Sequence, residues 1–589
     1  MYITGYAPFG DRGILIRVET DIRRGIPGID ISGLAEGAVR ESRERVRAAF
    51  RNAGLEFPLD RILINLAPAG VKKEGAALDL PIALSVMAAA GLVPGLSALP
   101  EQLMVLGELE LSGRVRPVRG VLAAIALGIS EGIRFFIVPK ENEEEAAILL
   151  GTHSDTGGID HFGENHYAAV SGLDEAAHAL VLLTTEGFFP PPFGKTFVSV
   201  NNTTAPGCNA GCSRYDVVTG AGYGDFAEVI GQARYKRALE IAAAGGHNLL
   251  VFGAPGAGKT MLARRLPSIM APLTSEEAVE VTRIHSLAGK LNEENENACG
   301  RYLITQPPFR TPHHSASAEG ILGGGRSIRP GEISLAHFGT LFLDEAPEFK
   351  SNVLQALREP LEDRLLTIVR AEGYFKLPAD FQLILAANAC PCGRLGTEGN
   401  WQPAMGESMF LNPANFSLMG SCFCSSEEIH KYWRKISGPL LDRIDIRVPV
   451  IGNSEVLSKS SEGKHNETSV IIQQRVIRAV ELQHLRFKDK EGNGFYCRRN
   501  ARMSPAYIER FCPLSKAAEK ALGKAMEHLS FSGRAYHSIL KTARTIADLD
   551  GKEIIETDHI LEAVQHRRLG DDPYDVLTLQ AAELWRDTL

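Results

Sequence analysis

Short apolar runs alternate with helical hydrophobic spacing along residues 1–190. The runs at 62–66 and 135–138 read as strands, and 81–90 and 118–129 read as helices. That alternation predicts a small mixed α/β domain. The pattern is lost over 191–224, where NNTTAPG and GAGYG predict a linker. It returns at 225–243, DFAEVIGQARYKRALEIAA, as an acidic start, a turn at Gly231 and an amphipathic helix. Apolar strands are predicted at 249–252, 341–343 and 381–388, which places a second α/β unit over 225–452. The polar stretch 453–470, NSEVLSKSSEGKHNETSV, predicts a flexible joint. From 471 the spacing is mostly helical, and the run AYHSILKTARTIADLDG has a natural C-cap in Gly551. The expected C-terminal unit is a helical domain with a tail, over 471–589.

Composition narrows the class. A chain of 589 residues is too long for one core. Its hydrophobic content of 44% and charged content of 23% are those of a soluble globular protein. No leader pattern opens the chain, and no apolar stretch of about 18 residues lacks both charge and glycine. A cytoplasmic protein without membrane contact is expected. The net charge of -8 gives no global attraction to nucleic acid, so any DNA contact must use local basic surfaces. Nine cysteines are too few and too clustered for a disulfide scaffold. Cys208 and Cys212 have no second pair nearby and read as free thiols.

The candidate chemistry sits at the centre. The predicted strand 249–252 runs into Gly253, Ala254, Pro255, Gly256, Ala257, Gly258, Lys259 and Thr260, and a helical pattern follows. That is a GxxxxGK[ST] loop in its required setting. Its N–H groups and the helix start can hold phosphates, Lys259 can reach the β- and γ-phosphates of ATP, and Thr260 can hold Mg²⁺. Asp344 and Glu345 close the strand 341–343. Asp344 is placed to hold Mg²⁺, and Glu345 to polarise the attacking water as general base. Asn388 ends the next strand, where an amide can orient that water. Arg443, in SGPLLDRIDI, suits insertion into a neighbour's site. Arg534 opens a later helix and is expected to reach the γ-phosphate from the same subunit, with Arg544 in reserve.

Two further groups carry chemistry. Cys390, Cys392, Cys422 and Cys424 form two C-x-C pairs, read either as a closed Zn²⁺ site or as unmetallated thiols. Arg310, His313 and His314, then Arg326 and Arg329 around a Gly-rich loop, suit an insertion that reaches nucleic-acid phosphates. Lys376 is expected at a hairpin tip, with Tyr374 and Phe375 either stacking on bases or packing the hairpin.

Taken together, DFAEVIGQARYKRALEIAAAGGHNLL, GAPGAGKTMLARRLP, FRTPHHSASAEGILGGG, PGEISLAHFGTLFLDEAPEF, LILAANACPCG, ISGPLLDRIDI and SGRAYHSILKTARTIADLDG resemble the YifB/ComM family of magnesium-chelatase-like AAA+ ATPases. The opening stretch, MYITGYAPFGDRGILIRVETDIRRGIPGIDISGL, resembles that family's N-terminal domain. The resemblance implies an α/β fold. It comprises an AAA+ P-loop ATPase core with a helix-2 insertion and a zinc-binding insertion at 390–424, then a magnesium-chelatase-type helical lid. The N-terminal domain would be Lon-protease-like, in the ribosomal protein S5 domain 2-like fold. By carry-over, Asn388 is the sensor-1 residue, Arg443 the arginine finger and Arg534 the sensor-2 residue. Members resembling competence protein ComM are hexameric helicases that promote branch migration during recombination in natural transformation. That implies a homo-hexamer, single-stranded or branched DNA, and recombination proteins as partners. A protein-remodelling ATPase is the alternative. Ala77 stands where Lon-type proteases carry the nucleophilic serine, and 111–122 offers no lysine. The domain is therefore expected to be structural or a docking module rather than a protease.

Overall fold

The computed structural model describes residues 2–10, 13–33, 37–69, 73, 77–93, 102–150, 166–187, 189, 223–291, 303–325, 328–370, 373–393, 424–450, 466–488, 497–529 and 532–568.

The N-terminal strands are β1 (Tyr2–Ala7), β2 (Ile14–Arg23), β3 (Gly28–Ser32), β4 (Arg61–Ala67), β5 (Leu103–Val105), the small hairpin β6 (Glu108–Leu109) and β7 (Val115–Arg116), β8 (Phe135–Pro139) and β9 (His166–Val170). Seven of them form one mixed sheet in the order β3-β4-β2-β1-β5-β8-β9. The alternation in β2 explains its place. Ile16, Val18 and Thr20 are buried while Arg17, Glu19 and Asp21 face outward. The helices Asp79–Ala89 and Leu173–Glu186 cover one core of this sheet, and Val121–Ser130 covers the other. Ala77 offers no hydroxyl, and the nearby Lys73 is fully buried, donating to the backbone oxygens of Gly33 and Pro68.

The second sheet is different in kind. Its strands are β10 (Leu249–Gly253), β11 (Phe309–Arg310), β14 (Thr340–Leu343), β17 (Gln382–Asn388) and β18 (Ile446–Val450). They run in the order β11-β14-β17-β10-β18, and every pairing is parallel. A parallel sheet is covered on both faces, so its strands are apolar throughout. In β10 Leu249 and Val251 face a core shared with helices Ala233–Gly245, Ser469–Phe487 and Gly533–Leu549. Leu250 and Phe252 face the other core, which includes Trp433. Two short pairs lie outside this sheet. They are β12 (Gly323–Gly324) with β13 (Arg329–Pro330), and the hairpin β15 (Leu365–Arg370) with β16 (Gly373–Pro378).

The two parts touch at buried points. Glu145 accepts from the Leu122 N–H at 2.9 Å, from Asn142 Nδ2 at 3.0 Å and from the Ser286 hydroxyl across the boundary. Burial pushes its carboxyl above the usual range, against those hydrogen bonds. Phe9 meets Phe375 of the hairpin edge-on at 4.7 Å.

Candidate functional site

The phosphate loop leaves the sheet where β10 ends. Gly253 is required there, because a Cβ would lie 2.0 Å from the Val450 carbonyl oxygen. Gly258, at φ 82°, turns the chain into the helix Lys259–Ala263. Lys259 is 7% exposed and folds back into the loop. Its Nζ donates to the Gly253 oxygen at 2.9 Å, the Ala254 oxygen at 2.7 Å and Asn388 Oδ1 at 3.3 Å. Desolvation lowers its pKa, against the pull of Asp344 and Glu345. Register places Asn388 directly beside Gly253. The Thr260 hydroxyl donates to Asp344 Oδ2 at 2.8 Å, and Asp344 Oδ1 accepts from the Glu345 N–H at 3.0 Å. Thus the neighbours Lys259 and Thr260 meet Asp344 and Asn388, which are distant in sequence, at one end of the strands.

Glu345 lies just beyond Asp344 with φ 51°. A side chain in this left-handed region costs about 1–2 kcal/mol. Its carboxylate is half exposed and lies 3.6 Å from His314 Nδ1. His314, read from sequence as a phosphate contact of the insertion, is therefore beside the candidate base. It sits against His313 and Phe349. The donor set fits a triphosphate with Mg²⁺. An ammonium group rests on exchangeable carbonyl oxygens beside loop N–H groups, and a hydroxyl–carboxylate pair supplies hard oxygen ligands.

The opposite end of the same strands carries the arginines. Asn248, just before β10, donates through Nδ2 to the Arg443 oxygen at 2.9 Å. Arg443 Nη1 donates to the Pro439 oxygen at 2.6 Å, and its Nη2 lies 2.7 Å from Glu362 Oε1. Arg534 Nη2 binds the same Glu362 oxygen. Both arginines line a cavity of about 390 Å³ with Asn248, Asp442, Asp445 and Lys541. The sequence expects Arg534 to reach the phosphate of its own subunit; here its guanidinium pairs with Glu362 instead. Arg534 stands with Arg443 where the strands begin, whereas the loop follows where β10 ends. Arg544 cannot substitute for it, being 1% exposed and held 2.8 Å from Asp548.

Asp445 fastens this end to the C-terminal helices. It contacts His247 Nδ1 at 3.1 Å and accepts from the Ser538 hydroxyl at 2.6 Å, while His247 Nε2 contacts Thr545 Oγ1 at 2.8 Å. Burial opposes its charge, yet His247, Lys541 and Ser538 outweigh that and hold its pKa at about 2.

Beyond Asn388 the chain turns through Cys390 and Cys392. The sulfurs of Cys390, Cys392 and Cys424 all lie within 4.8 Å of one another. Three thiols at that spacing fit a soft metal such as Zn²⁺. Cys422, Cys208 and Cys212 lie outside the described residues. Trp433 Nε1 donates to the Ala389 oxygen at 3.1 Å and its ring meets Phe252 at 5.7 Å. The thiol cluster thus adjoins both Asn388 and the strand that feeds the loop.

The basic candidates divide. Arg310 is not free for nucleic acid, since its Nε lies 2.7 Å from Glu332 in an ion pair. Phe375 is buried against Phe9, whereas Tyr374 is 79% exposed, and Lys376, expected at the tip, instead pairs with Thr367 along the hairpin and is exposed on the same face as Tyr374. Arg329 is exposed, and Arg326 lies outside the described residues. Glu362 and Glu332 escape a reading of the sequence because acidic residues in ordinary helical contexts carry no motif.

Among the described residues no helix is long and apolar enough to cross a membrane. Three family models match the chain. They are "Magnesium chelatase, subunit ChlI" over 225–456, "Subunit ChlI of Mg-chelatase" over 18–142, and "Magnesium chelatase, subunit ChlI C-terminal" over 466–567. The protein called YifB of Escherichia coli (strain K12) is 38% identical over 555 residues, covering 94% of each chain. Competence protein ComM of Haemophilus influenzae is 37% identical over 566 residues, covering 96% of each. The Lon protease of Salinispora arenicola is 30% identical over 149 residues, or 24% of this chain and 19% of that protein. Similarity along nearly the whole length, together with the loop and sheet geometry above, shows that the chain belongs to the YifB/ComM family of Mg-chelatase ChlI-like AAA+ proteins.

Proposed function

We propose that this chain is the subunit of a homo-hexameric, ATP-hydrolysing DNA motor that promotes branch migration during recombination or natural transformation. One observation carries the reading. The phosphate loop and the arginines Arg443 and Arg534 lie at opposite ends of the strands of one sheet, so a complete hydrolytic site needs two copies. A closed ring satisfies every such interface.

Within that site Gly253–Thr260 cradles the triphosphate, and Lys259 leaves its carbonyl partners for the β- and γ-oxygens. Thr260 and Asp344 would hold Mg²⁺, which neutralises phosphate charge and orients the nucleotide. Glu345 takes the proton of the attacking water, and Asn388 orients that water. Arg443 and Arg534 from the adjoining copy offset the charge of the transferring phosphoryl group. Zn²⁺ on the cysteine cluster would act as a structural staple. The exposed Lys376 and Tyr374 suit a pore contact with single-stranded DNA, in which ring repetition multiplies a weak attraction. The name of the Haemophilus relative, competence protein ComM, agrees with a DNA role.

The test measures ATP hydrolysis with and without forked or single-stranded DNA, and strand displacement in the same preparation, with Lys259→Ala as control. DNA should raise the rate and strands should separate. A ring that neither binds DNA nor displaces strands overturns the assignment, and stimulation by unfolded protein alone would replace it with a remodelling activity.

A further inference from the structure

Arg443 and Arg534 reach Glu362 from different parts of the chain. Arg443 follows the short helix Gly438–Leu441 and precedes β18, while Arg534 lies in the first turn of Gly533–Leu549. Glu362 belongs to a third element, the helix Arg358–Asp363. Both guanidinium groups bind the same oxygen, Oε1. We propose that Glu362 is a positioning residue, holding Arg443 and Arg534 as one paired cationic fork for the phosphates bound by an adjoining copy. The inference rests on the two-copy site proposed above.

The physical case has three parts. Two guanidinium groups brought together repel, and a shared carboxylate offsets that repulsion. Arg534 is 48% exposed on its side chain, so this ion pair anchors its tip. Fixing a long side chain before the phosphate arrives removes an ordering cost from the reacting complex. Burial disfavours the charged form of Glu362, but the two arginines outweigh it and hold the carboxyl below its usual range. As phosphoryl charge develops, the fork shifts its hydrogen bonds toward the phosphate. The carboxylate therefore acts on turnover more than on nucleotide affinity.

The experiment compares steady-state ATP hydrolysis by Glu362→Gln, Glu362→Asp, Arg443→Ala and the double variant Glu362→Gln/Arg443→Ala. Ring assembly is checked by mass photometry, and nucleotide affinity with a fluorescent ATP analogue. Glu362→Gln should lower kcat about tenfold with KM within about twofold. Glu362→Asp should recover to within about threefold of the parent, because it keeps the charge. The double variant should be slower than Arg443→Ala by less than the tenfold single loss, because the carboxylate then acts through Arg534 alone. Parental turnover by Glu362→Gln, or losses that multiply in the double variant, would overturn the proposal. Arg443→Ala at the parental rate removes both this inference and the two-copy site. A slow Arg443→Ala beside an unaffected Glu362→Gln removes only the role of Glu362.

Discussion

The two ends of one parallel sheet hold cations in opposite ways. Where the strands finish, Lys259 rests on the carbonyl oxygens of Gly253 and Ala254 and on the Asn388 amide, partners it can exchange for phosphate oxygens. Where the strands begin, Arg443 and Arg534 rest on the Glu362 carboxylate, a full opposite charge. A buried lysine on neutral acceptors has lost solvation without a full ion pair, so an incoming anion restores what burial removed. A pair of arginines on a carboxylate is already compensated and is pre-shaped instead. On the proposed reading, the first end binds and the second is presented to an adjoining copy. In the proposed two-copy site, these would be the two halves of the chemistry on different faces of one protomer.

The comparison can be broken by removing each end in turn. Lys259→Ala should lower kcat/KM by about 10³-fold or more, because it removes phosphate positioning in ground and transition states alike. A fluorescent ATP analogue should also lose affinity, and retained binding would show that the lysine is not a binding group. Arg443→Ala should lower kcat by about 10³-fold with little change in nucleotide affinity. Mixing Arg443→Ala subunits with Glu345→Gln subunits should restore part of the activity, since some interfaces then join an intact Glu345 to an intact Arg443. Verified mixed rings with no recovery would argue that the arginine acts within its own chain. Glu345→Gln alone should slow turnover by about 10²- to 10³-fold while retaining ATP, and hydrolysis at the parental rate excludes it as the base.

Smaller effects sharpen the picture around these ends. Cys424→Ser or Cys392→Ser should reduce bound zinc from about one equivalent per chain to near zero, read by elemental analysis. Trp433 emission should shift as well, because that indole is tied to Ala389 beside the cluster. Unchanged zinc in both variants places the metal elsewhere. The mildest prediction concerns pH and the C-terminal helices at the arginine end. Burial first, then Arg499 and other nearby charges, holds His484 at about 4, and burial likewise holds His566 at about 4. The unfolded chain binds these protons below about 6.5, whereas the folded chain resists them until about 4. Stability present above 6.5 is therefore lost as pH falls toward 4, by about 1–2 kcal/mol per histidine at pH 5. Melting at pH 7.5 and pH 5 should show that loss, and a His484→Gln/His566→Gln variant should flatten it.

Much of the nucleotide end is legible in the amino-acid sequence. Gly253, Gly258 and Lys259 are close neighbours along the chain, and their spacing alone dictates a turn that presents N–H groups to phosphate. The apolar strands leading to Asp344 and Asn388 are visible as runs of Leu, Ile, Phe and Ala, because a parallel sheet buries both faces. Other residues mislead. Arg310 has the type and setting of a nucleic-acid contact, but Glu332 occupies it, and of the two roles open to Phe375, stacking on bases or packing, Phe9 selects packing. His314 reads as part of a pore loop but faces Glu345. In each case the partner lies far along the chain, in a segment with no pattern linking it to the residue it engages.

The sequence by itself determined the local chemistry: the phosphate loop, the acidic pair after a buried strand, the closely spaced thiols and the absence of a serine at Ala77. Those features are set by residues adjacent in the chain, where backbone geometry and side-chain type suffice. Only the tertiary structure decided which distant groups meet. It paired Asn388 with Gly253 through strand register, gathered Arg443 and Arg534 on Glu362, and separated them from Lys259 by the length of a sheet. Strand order and helix packing fix those meetings, and they come from the burial of many apolar side chains at once rather than from any local signal.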